Sequence, residues 1–162
     1  MVDGAPLPEL TRTNLLILLE LSEAAFPMWK RFADARGGAA TEPDVVGDAT
    51  QAFAEIHDAA KAWLETGAVD PAELQAHVDS VNEGAAEAAE SSETELGDRA
   101  VPAQVAAVAV QTLAWALGRL AGAQIVGEGT PDDADLGVAI DTAESEPEIG
   151  HVRDLWRQFT SA

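Results

Sequence analysis

The sequence predicts an all-α protein, a single compact bundle of six or seven helices with a central helix rich in alanine and valine. Roughly one residue in five is alanine, which has the highest helix propensity of all residues. Apolar residues recur at spacings of three and four, whereas β-branched residues rarely cluster. Proline and acidic capping signals punctuate the chain. These observations favour helix throughout and no strand.

Length, charge and cysteine content exclude several classes of protein. Of the 162 residues, 47% are hydrophobic, so residues 1–162 should bury enough apolar surface to fold as one domain. The 29 acidic and 9 basic side chains give a formal net charge of −20, and such a field repels phosphates. We therefore expect no direct nucleic-acid binding. The absence of cysteine removes disulfides, thiolate metal sites and cysteine nucleophiles.

The first helix should begin near Thr11 or Thr13, since threonine is a good N-cap residue. Pro27 should break or kink this helix, because proline lacks the backbone donor that an interior position needs. The next segment should continue at an angle until Gly37-Gly38 ends it. The apolar run from Leu15 to Leu19 is suited equally to a core and to a homo-oligomer interface.

Capping signals also place the second and third helices. Thr41-Glu42-Pro43-Asp44 resembles a capping box before the second helix, which Gly67 should end. Asp70-Pro71-Ala72-Glu73 repeats that signal before the third helix. Asn82-Glu83-Gly84 should weaken or interrupt this helix. Residues 85–98 are small and acidic, and we expect them to form a flexible connection.

The central helix should open at Pro102 and run to Leu120, because this stretch is apolar nearly all round. Its polar residues and its alanine content favour a buried helix over a membrane span. Gln104 and Gln111 then need hydrogen-bond partners inside the protein. The remaining helix starts are predicted at Thr130-Pro131-Asp132-Asp133 and Ser145-Glu146-Pro147-Glu148.

The candidates for acid-base or metal chemistry are few. His57 is best explained as a boundary residue of its helix, and His77 by a contact within its helix to Glu73, one turn earlier. Glu148 and His151 form one Glu-x-x-His unit, the local piece of ferritin-like di-iron sites, but such sites need a second unit and further glutamates. No serine-nucleophile or phosphate-binding motif occurs. We therefore predict no catalytic residue and no cofactor, with Glu148 and His151 as weak metal candidates.

The acidic segment is the strongest feature outside the predicted core. It predicts an acidic patch that steers a basic partner protein to its binding site. Trp29 follows the proline break among polar residues, so an exposed Trp29 would extend this binding surface. A solvated surface that keeps the protein soluble at high salt explains the same acidity. The predicted partner-binding acids are Glu83, Glu87, Glu90, Glu93, Glu95 and Asp98.

Three stretches combine helices with proline and aromatic residues. Residues 16–34 carry an apolar helix that runs into Phe26-Pro27 and then Trp29. Gly97-Asp98 precedes the Pro102 helix, and Trp156-Arg157-Gln158-Phe159 lies in the last predicted helix. These stretches resemble a bacterial family called domain of unknown function four-sixteen. The resemblance implies an all-helical bundle and implies no activity.

The expected function is an acidic protein-binding module of the cytoplasm, for which an immunity-type inhibitor of a basic toxin or nuclease is the most concrete form. We expect no enzymatic activity and no membrane association. Two alternatives stay open. The first is a structural or oligomeric protein tuned for a high-salt cytoplasm, and the second is a metal-dependent helical-bundle enzyme.

Overall fold

The computed structural model describes residues 10–36, 45–91, 97–131, 136–143 and 146–161. Within these ranges it describes every side chain except those of residues 35, 36, 45, 89–91 and 97–100. The described residues form six helices and no strand, which confirms the all-α prediction. The helices are α1 (Arg12–Arg36), α2 (Val45–Thr66), α3 (Pro71–Ser91), α4 (Gly97–Leu120), α5 (Leu136–Asp141) and α6 (Ile149–Ser161).

Helix α1 begins with a capping box in which Asn14 stands at the position that glutamate or glutamine usually holds. The Thr11 Oγ1 accepts the backbone N–H of Asn14 at 3.2 Å, and the Thr11 N–H donates to Asn14 Oδ1 at 2.6 Å. Of the break or kink predicted at Pro27, the break is wrong, because α1 continues through this residue to Arg36. Pro27 and Glu23 both lie on the exposed face, where water can replace the missing backbone hydrogen bond.

The turn between α2 and α3 follows the predicted caps. Gly67 has a φ of +75°, a left-handed conformation that glycine adopts without strain, and its N–H donates to Trp63 O at 2.7 Å. Asp70 Oδ1 accepts the N–H of Ala72 at 2.9 Å, which caps the start of α3. The capping box predicted at Thr41-Glu42-Pro43-Asp44 lies outside the described residues.

Helix α3 is continuous from Pro71 to Ser91, so the interruption predicted at Asn82-Glu83-Gly84 is wrong. A Cβ atom placed on Gly84 would lie 2.4 Å from Ala49 Cβ, so this glycine allows α3 to approach α2 closely. The flexible connection predicted at 85–98 is also wrong in part. Residues 85–91 belong to α3 and residues 97–98 to α4, while residues 92–96 lie outside the described part of the chain.

Helix α4 is the centre of the bundle, as predicted, and packs against α1, α2, α3 and α5. Its segment Val101–Leu120 is long and apolar enough to cross a membrane, but 83% of its most apolar 18-residue window is buried inside the structure, as expected for a core helix. The helix begins at Gly97 rather than at Pro102. Both predicted glutamine partners are present: Gln104 Nε2 donates to Ala85 O at 2.6 Å, and Gln111 Oε1 accepts Gly129 N–H at 3.1 Å.

The last helix, α6, buries one stripe of Ile149, Val152, Leu155 and Phe159 against α1. Trp156 is half-buried and stacks on Phe159 with a centroid distance of 5.4 Å. In the Leu15–Leu19 run, Leu15, Leu18 and Leu19 are buried in the core, whereas Leu16 is 52% exposed. Most of this run therefore belongs to the core.

Candidate functional site

The surface of α2 and α3 carries an excess of negative charge. Residues 45–88 contain nine acidic residues and one basic residue, Lys61, for a formal charge of −8. Lys61 Nζ lies 2.9 Å from Glu23 Oε2 on α1, and this hydrogen bond raises the pKa of the lysine. The other eight basic residues lie outside this stretch of the sequence. Of these, Arg12 of α1 reaches the end of α2, where it donates to Leu64 O and lies 5.2 Å from the centroid of the Trp63 ring. We call the exposed carboxylates of α2 and α3 the acidic face.

A cleft of about 280 Å³ opens in the acidic face where α2 turns into α3. Glu55 and Asp58 are three residues apart and so share one side of α2. The turn brings Asp70 and Glu73 opposite them, and His77 lines the same space. We call these five residues the acidic cleft. Its four carboxylates form no ion pair with a described residue, so a cation can bind there without displacing one from the protein.

Only part of the predicted acidic patch can be placed. Glu83 is exposed and Glu87 half-buried, and both lie on α3 beyond the acidic cleft. Glu90 and Asp98 belong to α3 and α4, but their side chains are not described, and residues 93 and 95 lie outside the described residues. The patch members without a described side chain are Glu90, Glu93, Glu95 and Asp98.

The prediction that Trp29 contacts a partner is wrong, because its side chain is fully buried. Its Nε1 donates to Thr50 Oγ1 at 2.8 Å, and its ring packs against Phe32 and Phe53 at centroid distances of 5.5 and 5.1 Å. The prediction assumed a new helix after Pro27. Because α1 continues instead, its helical phase directs Trp29 towards α2.

Glu148 and His151, the weak metal candidates, both contact other side chains of the protein. Glu148 accepts hydrogen bonds from Arg31 at 2.5 and 2.8 Å, and Glu146 binds the same guanidinium at 3.0 Å. The bond to Arg31 lowers the pKa of the Glu148 carboxyl and joins α6 to α1. His151 is exposed and lies 3.6 Å from Glu20. Within the described ranges, no group of three or more His, Asp or Glu side chains is arranged to hold a metal ion.

Ser22 and His57 form a hydrogen-bonded pair that sequence reasoning missed. Ser22 Oγ lies 2.8 Å from His57 Nε2, a distance typical of a nucleophile and its base. Ser22 is fully buried and His57 is only 6% exposed, so no substrate reaches the pair. Burial lowers the pKa of His57 despite the nearby carboxylates of Glu23 and Asp58. The pair therefore stabilises the contact between α1 and α2.

His57 should make stability depend on pH. Because burial disfavours the imidazolium, the folded protein resists protonation while the unfolded chain binds a proton below its ordinary pKa of about 6.5. Stability from the neutral imidazole is present above that pH and is lost as pH falls towards the lower folded pKa. We expect the free energy of unfolding of the wild type, relative to His57→Gln, to fall by up to about 1.4 kcal/mol per pH unit.

Urea denaturation at several pH values between 8 and 5 would measure this difference. His77→Gln is the matched control, because it removes a histidine that is only half-buried and is not bonded to a serine. Acid also stabilises the protein by relieving repulsion among its carboxylates. Both proteins share this effect, so subtracting the free energy of unfolding of His57→Gln from that of the wild type at each pH removes it. Parallel curves for the wild type and His57→Gln would contradict a buried neutral imidazole.

The acidic cleft was not predicted, although two signals in the sequence indicated its parts. Glu55 and Asp58 have a spacing that places them on one side of a helix, and Asp70 and Glu73 were identified as a cap. Neither signal shows that a short turn brings the two pairs together across a cleft.

Comparison with protein-family models, with curated proteins and with solved structures finds no match to this chain.

Proposed function

We propose that the protein is a binding module that holds a basic protein on its acidic face, as an immunity-type inhibitor of a basic toxin or nuclease does. The observation that carries this proposal is the excess of negative charge on residues 45–88, where nine acidic residues stand against one lysine and that lysine pairs with Glu23 of the neighbouring helix. A field of one sign steers an oppositely charged partner and accelerates its association.

The acidic cleft supplies an anchor point within this face. Its volume of about 280 Å³ is large enough for one lysine or arginine side chain, and arginine is enriched among the residues that dominate binding energy. Glu55 is half-buried beside the apolar Leu74, so a bound cation would be partly shielded from water. Such shielding strengthens the attraction between the cation and the carboxylates.

The distribution of charge favours binding over the high-salt alternative. A surface tuned only for solubility intersperses both signs of charge. In this chain, the basic residues are concentrated on α1, α4 and α6, and α2 with α3 has one. The metal-enzyme alternative is disfavoured because Glu148 is already bound to Arg31. The resemblance to the four-sixteen family stays a prediction and assigns no activity.

A synthetic peptide that alternates lysine and alanine tests the selectivity of the acidic face. In NMR titration of the ¹⁵N-labelled protein, we expect the amide shifts to concentrate around the acidic cleft. Asp58→Lys combined with Glu73→Lys should raise the Kd of the peptide by about tenfold or more. Both side chains are exposed, so the double variant should fold normally.

Glu20→Lys combined with Asp154→Lys is the matched control, because it changes the net charge by the same amount. These residues lie on α1 and α6, and α6 packs against α1 and α5 rather than against α2 or α3. The control should bind the peptide nearly as the wild type does. Equal weakening by both double variants would mean that only net charge matters, and it would contradict a specific face.

A further inference from the structure

A second cavity, of about 400 Å³, lies between α3, α4 and the loop of residues 121–131. The apolar residues that line it have small side chains and include Ala85, Ala107 and Val108. Three carboxamide side chains line the same space, those of Asn82, Gln104 and Gln111. The volume falls within the range of small-molecule sites, which combine apolar walls with a few placed polar groups. We call this space the amide cavity.

Gln111 is the most informative residue of the amide cavity, because it is only 1% exposed. Its Oε1 accepts the Gly129 N–H at 3.1 Å, and this bond determines which way the amide is turned. Its Nε2 has no hydrogen-bond partner among the described residues. Every fully buried side-chain nitrogen and oxygen in the described part of the chain has a partner. Because Nε2 has none, it is not fully buried, and the space that it reaches is the cavity that Gln111 lines. A buried donor of this kind requires an acceptor from water or from a ligand.

The other two carboxamides also use only one of their polar atoms. Asn82 Oδ1 accepts the Glu128 N–H at 3.3 Å, which leaves Nδ2 as a donor without a partner in the described structure. Gln104 Nε2 donates to Ala85 O at 2.6 Å, which leaves Oε1 as an acceptor. The amide cavity therefore offers two donors and one acceptor, and each is oriented by a bond to the backbone.

The loop is shaped to hold the Gln111 amide in place. A Cβ atom on Gly129 would lie 2.9 Å from both Cδ and Nε2 of Gln111, and one on Gly127 would lie 2.5 Å from its Oε1. Only glycine allows the loop backbone to approach the amide this closely. The polar groups are thus positioned before any ligand arrives, which lowers the entropic cost of binding.

We infer that the amide cavity binds a small, neutral, planar molecule that carries both carbonyl and ring N–H groups, as nucleobases such as uracil and hypoxanthine do. The free donors of Gln111 and Asn82 match carbonyl oxygens of such a ring, and the free acceptor of Gln104 matches an N–H. The alanine and valine walls leave space for a flat ring. Glu128 at the rim and the net charge of −20 disfavour any ligand that carries phosphate.

NMR titration of the ¹⁵N-labelled full chain with uracil and with hypoxanthine tests this inference. We expect saturable shifts of the side-chain NH₂ signals of Gln111 and Asn82, whose free donors would contact the ligand. 1,3-Dimethyluracil keeps both carbonyls but has no N–H for Gln104, so its Kd should be higher by about tenfold or more. Absence of saturable shifts with both bases at millimolar concentration would overturn the inference and leave water as the occupant.

Variants distinguish the amide cavity from other surfaces. Ala85→Leu narrows the cavity and Gln104→Met removes the acceptor, and each should raise the Kd of the bound base about tenfold. Ala76→Leu is the matched control, since Ala76 is an exposed residue of the same helix outside the cavity lining. Unchanged affinity in folded Ala85→Leu and Gln104→Met would overturn the inference. The acidic face is not involved, so this result is independent of the proposed protein binding.

Discussion

Replacing Trp29 with alanine should lower the free energy of unfolding by about 3–5 kcal/mol, the range typical of a large aromatic side chain deleted from a core. Trp29 is fully buried where α1, α2 and α3 meet, with Phe32 and Phe53 on its ring and Gly84 beneath it. For a chain of this length, the melting temperature should fall by roughly 6 to 20 °C. Urea or thermal unfolding followed by far-UV circular dichroism measures the change.

Trp156→Ala is the matched control for Trp29→Ala. Trp156 is half-buried on α6 and its main aromatic neighbour is Phe159, so its removal should cost less than half as much. A loss below about 1 kcal/mol for Trp29→Ala, or equal losses for the two variants, would contradict the placement of Trp29 in the core.

Gly84→Ala should destabilise the protein by about 1–3 kcal/mol, the usual cost of adding atoms to a packed core. Helix propensity alone predicts the opposite sign, because alanine in a helix is favoured over glycine by up to about 1 kcal/mol. The new Cβ would lie 2.4 Å from Ala49 Cβ and 3.1 Å from Trp29, so α3 would have to move away from α2. Chemical denaturation of the variant and the wild type measures the difference.

Two further variants show whether crowding is the cause. Gly150→Ala places a Cβ where nothing lies within 4 Å, so it should be neutral or slightly stabilising. Ala49→Gly removes the atom that the new Cβ would strike. The double variant Ala49→Gly, Gly84→Ala should therefore be less destabilised than the sum of the two single changes. Additive losses would contradict a direct contact between these positions.

Local signals in the sequence predicted most of the fold. Threonine and aspartate caps, Gly67 and the apolar spacing of the helices depend on interactions within a few residues, so they can be read from the chain alone. Pro27 misled the prediction because whether proline breaks a helix depends on whether water can reach the unpaired carbonyl. Gly84 misled it because its role depends on a neighbour from another helix.

The candidate site was harder to predict, because it depends on tertiary contacts. Placing Trp29 on the surface followed from the assumed break at Pro27, and the continuous helix reverses it. The acidity of α2 and α3 was visible in composition, but the acidic cleft requires the turn at Gly67 to bring two distant pairs of carboxylates together. The orientation of the Gln111 amide, with Oε1 bonded and Nε2 unpaired, depends on a loop that contains no helix or strand.

Affinity capture from the source extract tests the central claim, that the acidic face binds a basic protein. The extract is first treated with nuclease. The baits are the wild type, the double variant Asp58→Lys, Glu73→Lys and the double variant Glu20→Lys, Asp154→Lys, each at low and at high salt. At low salt, we expect the wild type and the Glu20→Lys, Asp154→Lys control to capture one basic protein in stoichiometric amount. The Asp58→Lys, Glu73→Lys variant should not capture it, and high salt should release it from every bait. No stoichiometric partner, or equal retention by all three baits, would contradict the claim.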